Sequence, residues 1–355
     1  MKTVITELSI DKNSTISYAL KRMDEVGRKL LIVVEENKFF SLVSIGDIQR
    51  AIIQNINMNE PISKVLRHKV KVAYEHDNLD LIKEEMKMRR NEFMPILAGD
   101  MTVSKVIFWE NLFLESKNQP AKLFDLPVVI MAGGLGSRLK PLTNVLPKPL
   151  IPIGDKTIVE EIFERFNNHG CNEFYVSVNY KADLIEYYLR GQNLPYHLTF
   201  FKEEKPMGTA GSLSLLKRKV NQTFFVSNCD ILIDQDYSEI LDYHRENNNE
   251  ITIVAALKHY PIPYGTIETG DNGRLMELSE KPELTFKINS GMYILEPHLL
   301  DQIPENTFFH ITQLIENVKK RNGKIGVFPV SDKSWRDIGS LEEFTRNLAN
   351  YHEPK

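Results

Sequence analysis

A buried strand that runs directly into a glycine-rich loop is the feature that most constrains the fold of this chain. The run "PVVIMA" (127–132) is apolar, and "GGLGSR" (133–138) follows it without a break. No acidic residue occurs between Asp125 and Asp155, although the 355-residue chain has a formal net charge of -4. Glycines let the backbone approach an anion closely, and successive N–H groups can cradle phosphate. We therefore predict a phosphate site at the end of this strand.

The loop differs from two common phosphate-binding motifs. It lacks the Gly-Lys-Ser/Thr that ends a Walker loop, and Leu139 stands where the dinucleotide fingerprint requires glycine. Two cations, Arg138 and Lys148, lie in a segment interrupted by three prolines, so this segment cannot form a plain helix. A stiff loop that wraps a polyphosphate is the interpretation that we favour.

Strand-like and helix-like segments alternate from about residue 126 onward. The predicted strands are 127–132, 173–179, 198–201, 223–228, 250–257 and 288–295, and the predicted helices are 157–170 and 311–323. Such alternation indicates an α/β domain with a mostly parallel sheet, whose ligand site lies at the carboxyl ends of the strands.

The first 118 residues contain an internal repeat with a shift of 63 positions. Ile16 aligns with Leu79, and Met23 aligns with Met86. Each copy has the pattern of an amphipathic helix, a strand, a turn, a second strand and a final helix. Units this small bury too little apolar surface alone, so we expect them to pair face to face. The predicted domains are the α+β repeats (about 1–60 and 61–118), a linker (119–126) and the α/β domain (127–355).

Composition narrows the class of protein. A hydrophobic content of 42% and a charged content of 26% are typical of a globular protein, and the negative net charge argues against a nucleic-acid partner. The N-terminus becomes polar too early for a secretory signal, and the apolar runs are far shorter than the roughly 20 residues of a membrane span. With only Cys171 and Cys229, a reduced compartment is favoured. We expect a cytoplasmic homo-oligomer without a nucleic-acid or membrane partner.

Several motifs that follow the glycine loop resemble those of the sugar-1-phosphate nucleotidyltransferases. They are, in order, "PLT", "PKP", "EEKPMGTAG", "SNCDILI", "EKP", "INSGMYIL" and "WRDIGSLEEF", within residues 127–346. The resemblance implies a Rossmann-like fold with a mostly parallel, mixed sheet. It also implies transfer of a nucleotidyl group from a nucleoside triphosphate to a sugar 1-phosphate, with release of pyrophosphate. Because both reactants are anionic, such catalysis depends on positioning and electrostatics and needs no protein nucleophile.

The resemblance also implies roles for individual residues. Arg138 would hold the released pyrophosphate, and Lys148 would contact a phosphate. Asp230 and Asp337 would bind Mg²⁺, although a lone aspartate after a strand is usually a turn residue. The implied nucleotide-binding residues are Ala132, Gly133, Gly134, Gly136, Ser137, Glu203, Gly208 and Thr209. The implied sugar-phosphate residues are Gly265, Glu280, Lys281 and Asn289. Without the resemblance, the motif "EKP", which contains Glu280 and Lys281, would indicate only a surface turn.

The identity of the base depends on Glu203, five positions before the first glycine of "GTAG". A carboxylate only accepts hydrogen bonds, and guanine offers two adjacent donors, so Glu203 favours GTP. The alternative is that Glu203 is simply exposed in "KEEKP". The resemblance to bacterial guanylyltransferases suggests mannose 1-phosphate or an amino sugar such as glucosamine 1-phosphate as the acceptor. Two further alternatives stay open: a uridylyl- or cytidylyltransferase, and a catalytically inactive nucleotide sensor.

The repeat in residues 1–118 resembles a cystathionine-β-synthase-type (CBS) pair. In that family a hydroxyl residue three positions before an aspartate holds the ribose of an adenine nucleotide. Ser44 and Asp47 in "SIGD" fit this pattern, whereas the second copy departs from it with Ile107 and Glu110. A regulatory adenine nucleotide is therefore expected at the first copy. The alternative is that Asp47 caps the helix that begins at "IQRAII".

Overall fold

The computed structural model describes residues 2–67, 70–89, 91–113 and 122–345. The chain divides into two compact units, Met1–Gln119 and Pro120–Lys355. The segment from 114 to 121, which includes the end of the second repeat and the start of the predicted linker, lies outside the described residues. None of the described helices has the length and apolar character needed to cross a membrane.

The N-terminal unit contains the two predicted copies of a helix–strand–strand arrangement. Its helices are α1 (Lys2–Leu8), α2 (Ile16–Val26), α3 (Ile45–Ile53) and α4 (Leu79–Arg89). Its strands are β1 (Ser9–Asp11), β2 (Leu30–Glu35), β3 (Lys38–Ser44), β4 (Ala73–Tyr74), β5 (Phe93–Leu97) and β6 (Val103–Phe108). Each copy forms one sheet, β1-β2-β3 or β4-β5-β6, in which the first pair is parallel and the second is antiparallel. Where the final helix of the second copy is predicted, the described residues form a 3₁₀ turn, Trp109–Asn111, and the residues after Phe113 lie outside the described ranges.

The two copies share one apolar core. Ile32 of the first copy belongs to the same buried cluster as Phe93 and Val106 of the second. The backbone N–H of Phe39 also donates to the carbonyl of Met101 over 2.8 Å, which joins the two copies beside their β-turns. Neither copy therefore buries its apolar face alone.

The second unit has the predicted alternation of strands and helices. Its helices are α5 (Leu142–Val145), α6 (Ile158–Asn168), α7 (Ala182–Arg190), α8 (Tyr237–Glu246) and α9 (Ile311–Lys320). Its strands are β7 (Val128–Met131), β8 (Pro152–Ile153), β9 (Lys156–Thr157), β10 (Glu173–Val178), β11 (His197–Lys202), β12 (Phe224–Asn228), β13 (Ile231–Ile233), β14 (Ile251–Pro261), β15 (Thr266–Thr269), β16 (Leu275–Ser279), β17 (Glu283–Leu295), β18 (Ile325–Val330) and β19 (Trp335–Asp337). Each predicted strand and helix of this unit is present, so those sequence assignments are confirmed.

The central sheet is mixed and mostly parallel, as the sequence predicts. Within the described residues its order is β11-β10-β7-β12-β17-β14-β18, and only β17 runs antiparallel to its neighbours. Side chains alternate between its two faces: Val128 and Ile130 pack into one buried cluster, and Val129 packs into the other. The carboxyl ends of β7, β10 and β12 consequently lie side by side at one edge.

Helix α6 illustrates how local sequence sets these elements. Thr157 and Glu160 form a capping box, in which Glu160 accepts the Thr157 backbone N–H at 2.8 Å. The apolar residues Ile158, Ile162 and Phe166 are spaced four apart and are all buried against the sheet. The start and the buried face of this helix are therefore determined by its own residues.

Candidate active site

The glycine-rich loop follows β7 and folds back on the segment after it. Gly136 has a left-handed φ of 62°, and a Cβ placed on it would lie 2.8 Å from Thr143 Cγ2 and 3.1 Å from Lys148 Cβ. The Thr143 hydroxyl donates to the Gly136 carbonyl over 3.0 Å. Glycine is thus required here both for the backbone conformation and for the close approach. Ala132 is buried beneath the loop, whereas Gly134 and Ser137 are exposed on it.

A buried ion pair lies under the loop. Lys148 Nζ contacts Asp230 Oδ2, and the two residues are only 9% and 8% exposed. Arg138 Nη2 is 3.8 Å from the same oxygen, while the Arg138 side chain is 65% exposed. The two cations predicted to face phosphate therefore meet at one carboxylate, which lies just beyond the carboxyl end of β12.

Asp337 reaches the same place from the far end of the chain. Strand β13 pairs antiparallel with β19, so Ile231 lies opposite Asp337, and the Ile338 N–H donates to the Asp230 carbonyl over 2.7 Å. The Gly339 N–H in turn donates to Asp337 Oδ1 over 2.6 Å. These bonds hold the two predicted aspartates side by side.

Gly339 leaves a small space that these charged side chains surround. A Cβ added there would lie 2.7 Å from Asp230 Oδ2, 2.7 Å from Asp337 Oδ1 and 2.9 Å from Arg138 Nη2. Two converging carboxylates fit Mg²⁺, which commonly takes one or two protein carboxylates and completes its shell with water and phosphate oxygens. In the described ranges there is no group of three or more His, Cys, Asp or Glu side chains suited to a metal ion.

A cleft of about 550 Å³ opens beside this carboxylate pair. Of the predicted site residues, five line it: Arg138, Thr209, Asp230, Asn289 and Asp337. Ten residues that the sequence predictions did not single out also line it; four of them are Asn228, Tyr293, His310 and Trp335. Asn228, Tyr293 and Trp335 lie within the quoted motifs, but their residue types alone did not indicate a role in binding. His310 lies outside every motif and was identifiable only as the residue before a predicted helix.

Glu203 is buried, so the alternative that it is simply exposed is wrong. It is 6% exposed and accepts hydrogen bonds on both oxygens, from the Ser177 hydroxyl on Oε1 and from the Met207 N–H on Oε2 at 3.1 Å. A Cβ on Gly133 would lie 3.0 Å from Glu203 Oε1. The carboxylate is therefore fixed against the start of the glycine loop.

The "GTAG" segment closes the other side of the cleft. Gly208 has a φ of 78°, and a Cβ there would lie 2.7 Å from the Phe309 carbonyl oxygen. Thr209 Oγ1 accepts the Ile311 N–H over 3.0 Å and lies 3.3 Å from His310 Nδ1. This segment is thereby joined to the start of α9.

The predicted sugar-side residues are only partly brought together. A Cβ on Gly265 would lie 3.0 Å from Glu280 Oε2, so these two residues are neighbours. Lys281 follows with a left-handed φ of 47°. These three residues are described and exposed but do not line the cleft, whereas Asn289 does. Asn289 Oδ1 accepts from the Tyr293 hydroxyl over 2.9 Å.

The buried thiol beside the carboxylate pair is not activated. Burial raises the pKa of Cys229 to about 12, and it also raises the pKa of Cys171 to about 12. Both thiols are free and are therefore protonated near neutral pH. Cys229 thus fills space next to Asp230.

In the N-terminal unit, Ser44 and Asp47 form a helix cap. Ser44 is the N-cap of α3, which begins earlier than predicted, and its N–H and hydroxyl donate to Asp47 Oδ2 over 2.8 and 2.6 Å. Asp47 Oδ1 pairs with Arg50 and with Arg67 Nε, the latter at 2.7 Å. The alternative that Asp47 itself caps the helix is therefore wrong: Ser44 is the cap, and Asp47 lies in the first turn and completes the capping box.

Comparison with known proteins identifies relatives of the second unit. The family model described as "Nucleotidyl transferase" matches residues 127–353. The mannose-1-phosphate guanylyltransferase catalytic subunit beta of Drosophila melanogaster is 31% identical, over 63% of this chain and 62% of the relative. A mannose-1-phosphate guanylyltransferase of Mycobacterium tuberculosis is 30% identical, over 64% of each chain. The chain thus spans less than two thirds of the length of these curated relatives.

Solved structures show the same fold. HddC from Yersinia pseudotuberculosis, also solved in complex with GMP-PN, is 25% identical with a TM-score of 0.50. The match covers 64% of this chain and 99% of HddC. A crystal structure described as a putative glucose-1-phosphate thymidylyltransferase from Bacillus anthracis is 21% identical with a TM-score of 0.51, covering 65% of this chain and 96% of that one. The latter likeness concerns the fold alone.

Proposed function

The chain belongs to the nucleotidyl transferase family, and from this premise we propose that it transfers a nucleotidyl group from a nucleoside triphosphate to a sugar 1-phosphate, releasing pyrophosphate. The observation that carries the proposal is the convergence of Arg138, Asp230 and Asp337 around the space at Gly339. Both reactants are polyanions. A site that places a cationic side chain beside two carboxylates proposed to bind a metal ion can offset the negative charge of both.

GTP is the proposed donor, and mannose 1-phosphate or an amino sugar such as glucosamine 1-phosphate is the proposed acceptor. The names of the guanylyltransferase relatives support GTP and mannose 1-phosphate. The buried Glu203 supports guanine, because each carboxylate oxygen accepts more than one hydrogen bond and can take a base donor besides the bond it already has. Guanine presents two such donors side by side.

The proposed chemistry is attack of a sugar-phosphate oxygen on the α-phosphorus of the triphosphate. A new phosphorus–oxygen bond forms as the bond to pyrophosphate breaks. Arg138, which is exposed on the glycine loop, would hold the leaving pyrophosphate. Lys148, buried under the loop beside Asp230, would offset phosphate charge. The loop glycines would let backbone N–H groups reach the phosphates.

Mg²⁺ is the proposed metal, held by Asp230 and Asp337. When bound, such an ion neutralises phosphate charge and helps to orient the reacting groups. The protein's own contribution is to keep the two carboxylates on one side of the cleft through the β13–β19 pairing. Asn289, Gly265, Glu280 and Lys281 are proposed to bind the sugar phosphate, with Lys281 as its cation.

The N-terminal unit is proposed to be a CBS pair that binds an adenine nucleotide at Ser44 and Asp47. Its two similar copies with a shared core support the pairing. Arg50 and Arg67 are more than half exposed beside Asp47 and would supply cations for the nucleotide phosphates. We also propose a cytoplasmic homo-oligomer; the two free cysteines support a reduced compartment.

The proposed activity is tested with the full-length protein, Mg²⁺, each of the four nucleoside triphosphates and a panel of sugar 1-phosphates, by measuring pyrophosphate release. We expect release with GTP and mannose 1-phosphate or glucosamine 1-phosphate. Release with no combination would overturn the transfer itself and favour the nucleotide-sensor alternative. A preference for UTP or CTP would overturn only the assignment of the base.

A further inference from the structure

Lys181 holds an unusual conformation between β10 and α7. Its φ and ψ are 53° and 36°, a left-handed conformation that is uncommon for a residue with a side chain. Residues held in such conformations persist where the surroundings determine them, and they cluster at functional sites. At Lys181, these surroundings include a set of carbonyl groups on α5.

The Lys181 ammonium group bonds the carboxyl end of α5. Nζ donates to the carbonyls of Asn144 and Val145 over 2.7 Å each, and to that of Thr143 over 3.4 Å. An ammonium has three donors, and the last carbonyls of a helix lack partners within the helix. The Tyr180 hydroxyl adds a bond to the Thr143 carbonyl over 3.3 Å. Since α5 has only four residues, bonds from outside the helix contribute to its support.

Helix α5 in turn supports the glycine loop. Thr143 donates from its hydroxyl to the Gly136 carbonyl, and its methyl group packs where Gly136 leaves no room for a side chain. A continuous series of contacts therefore leads from Lys181 through Thr143 to the middle of the loop. Lys181 lies outside the residues that line the cleft described above.

Asn179, two residues before Lys181, contacts Glu203, the proposed base-binding residue. Asn179 Nδ2 donates to the Glu203 carbonyl over 2.7 Å, and a Cβ on Gly133 would lie 3.3 Å from Asn179 Cβ. We propose that Lys181 is a positioning residue that fixes the glycine loop for the nucleoside triphosphate, while Asn179 helps to fix Glu203 for the base. The identity of the bound nucleotide rests on the proposed function, whereas the support of the glycine loop by Lys181 does not.

Three variants separate positioning from mere stability. Lys181→Gly removes the ammonium and relieves the left-handed backbone, Lys181→Met removes the donors at similar length, and Lys181→Arg keeps a charged donor. Arg218 is the matched control, because it is exposed with a φ of 64° and Arg218→Gly gives the same backbone relief away from the loop.

Hydrogen exchange of the full-length, ligand-free protein tests the loop directly. We expect amides of residues 133–147 to exchange about tenfold faster in Lys181→Gly and Lys181→Met, and near the wild-type rate in Lys181→Arg and Arg218→Gly. Unchanged exchange in Lys181→Gly, or faster exchange throughout the unit, overturns the proposal whether or not the protein is an active transferase.

Kinetics and binding then test the link to the nucleotide. In Lys181→Gly we expect KM for GTP and the calorimetric Kd for GTP to rise about tenfold, while KM for the sugar 1-phosphate changes less than about twofold. Equal rises in both KM values would contradict positioning of the nucleotide side. A wild-type protein without pyrophosphate release overturns the proposed function, whereas the exchange measurement still decides whether Lys181 positions the loop.

Discussion

The backbone N–H of Ile338 donates to the backbone carbonyl of Asp230 over 2.7 Å. This bond extends the antiparallel pairing of β13 with β19 and joins segments that are far apart in the sequence. It places Asp337 next to Asp230, so that one cleft holds both carboxylates. The predictions for these aspartates depend on that proximity.

Replacing either aspartate by asparagine is expected to reduce turnover by about 10³-fold or more, since a lost metal ligand typically removes several kcal/mol of transition-state stabilisation. Asp230→Asn carries a second effect: it leaves Lys148 buried without its carboxylate, which typically costs about 3–5 kcal/mol of stability. Urea unfolding and pyrophosphate release measure the two effects. The control Lys148→Met/Asp230→Asn should regain stability but not activity. Near-normal turnover of Asp337→Asn would refute the ligand assignment.

Gly339→Ala is expected to weaken divalent-ion binding by about 10–100-fold, the range seen when groups supporting metal ligands are disturbed. The added methyl would lie 2.7 Å from both carboxylates and must displace at least one of them. Calorimetric titration of Mn²⁺ into the protein measures this without turnover. Gly99→Ala is the matched control, because nothing lies within 4 Å of its added methyl. Equal Mn²⁺ affinities in both variants would count against the site.

Glu203→Gln is expected to lower the preference for GTP over UTP by about tenfold, equivalent to about 1.4 kcal/mol. A carboxamide has one acceptor oxygen, so it cannot accept from Ser177, Met207 and the base as the carboxylate can. The ratio of kcat/KM values for the two triphosphates measures the change. The neighbouring, exposed Glu204→Gln should leave the ratio unaltered. An unchanged ratio in Glu203→Gln would contradict base recognition.

Stability is expected to fall as the pH drops below about 6.5 because of His244. Burial lowers the pKa of His244, outweighing the hydrogen bond to Glu296, so the folded state favours the neutral ring. In the unfolded state the His244 ring takes up a proton near pH 6.5. Between that pH and the lower pKa of the folded state, the free energy of unfolding therefore falls by up to about 1.4 kcal/mol per pH unit. Urea midpoints at pH 7.5 and 5.5 test this. His244→Gln should flatten the dependence, whereas exposed His197→Gln should not; equal slopes would refute it.

Asp47→Ala is expected to destabilise the N-terminal unit by about 1 kcal/mol or more, because a capping box and two arginine contacts are lost together. Titration of ATP, ADP and AMP into the full-length protein and this variant tests the nucleotide. Loss of binding would support the proposed adenine-nucleotide site at Ser44 and Asp47. Binding that survives unchanged would leave Asp47 with its role in the capping box alone. Asp47→Asn keeps an acceptor and separates the loss of charge from the loss of the capping-box hydrogen bonds.

Local sequence determined the elements and the residues at their ends. The run 127–132 predicts a buried strand because it is continuously apolar, and the three glycines that follow it predict a turn with close backbone approach. Asp230 was predictable because a polar residue that closes an apolar strand comes out at the sheet edge. The motif resemblance added Asp337, which no local pattern could have paired with Asp230.

Only the tertiary structure decided which of these side chains meet. Glu203 lies in a charged stretch that reads as exposed, yet β10 and the glycine loop bury it. Lys148 was expected to face phosphate, and the fold sets it against Asp230. Lys181 belongs to none of the quoted motifs, and its contacts are backbone carbonyls on α5, which leave no trace in residue type. Such contacts depend on the order of the strands and the course of the loops, and both are set by the packing of the whole unit.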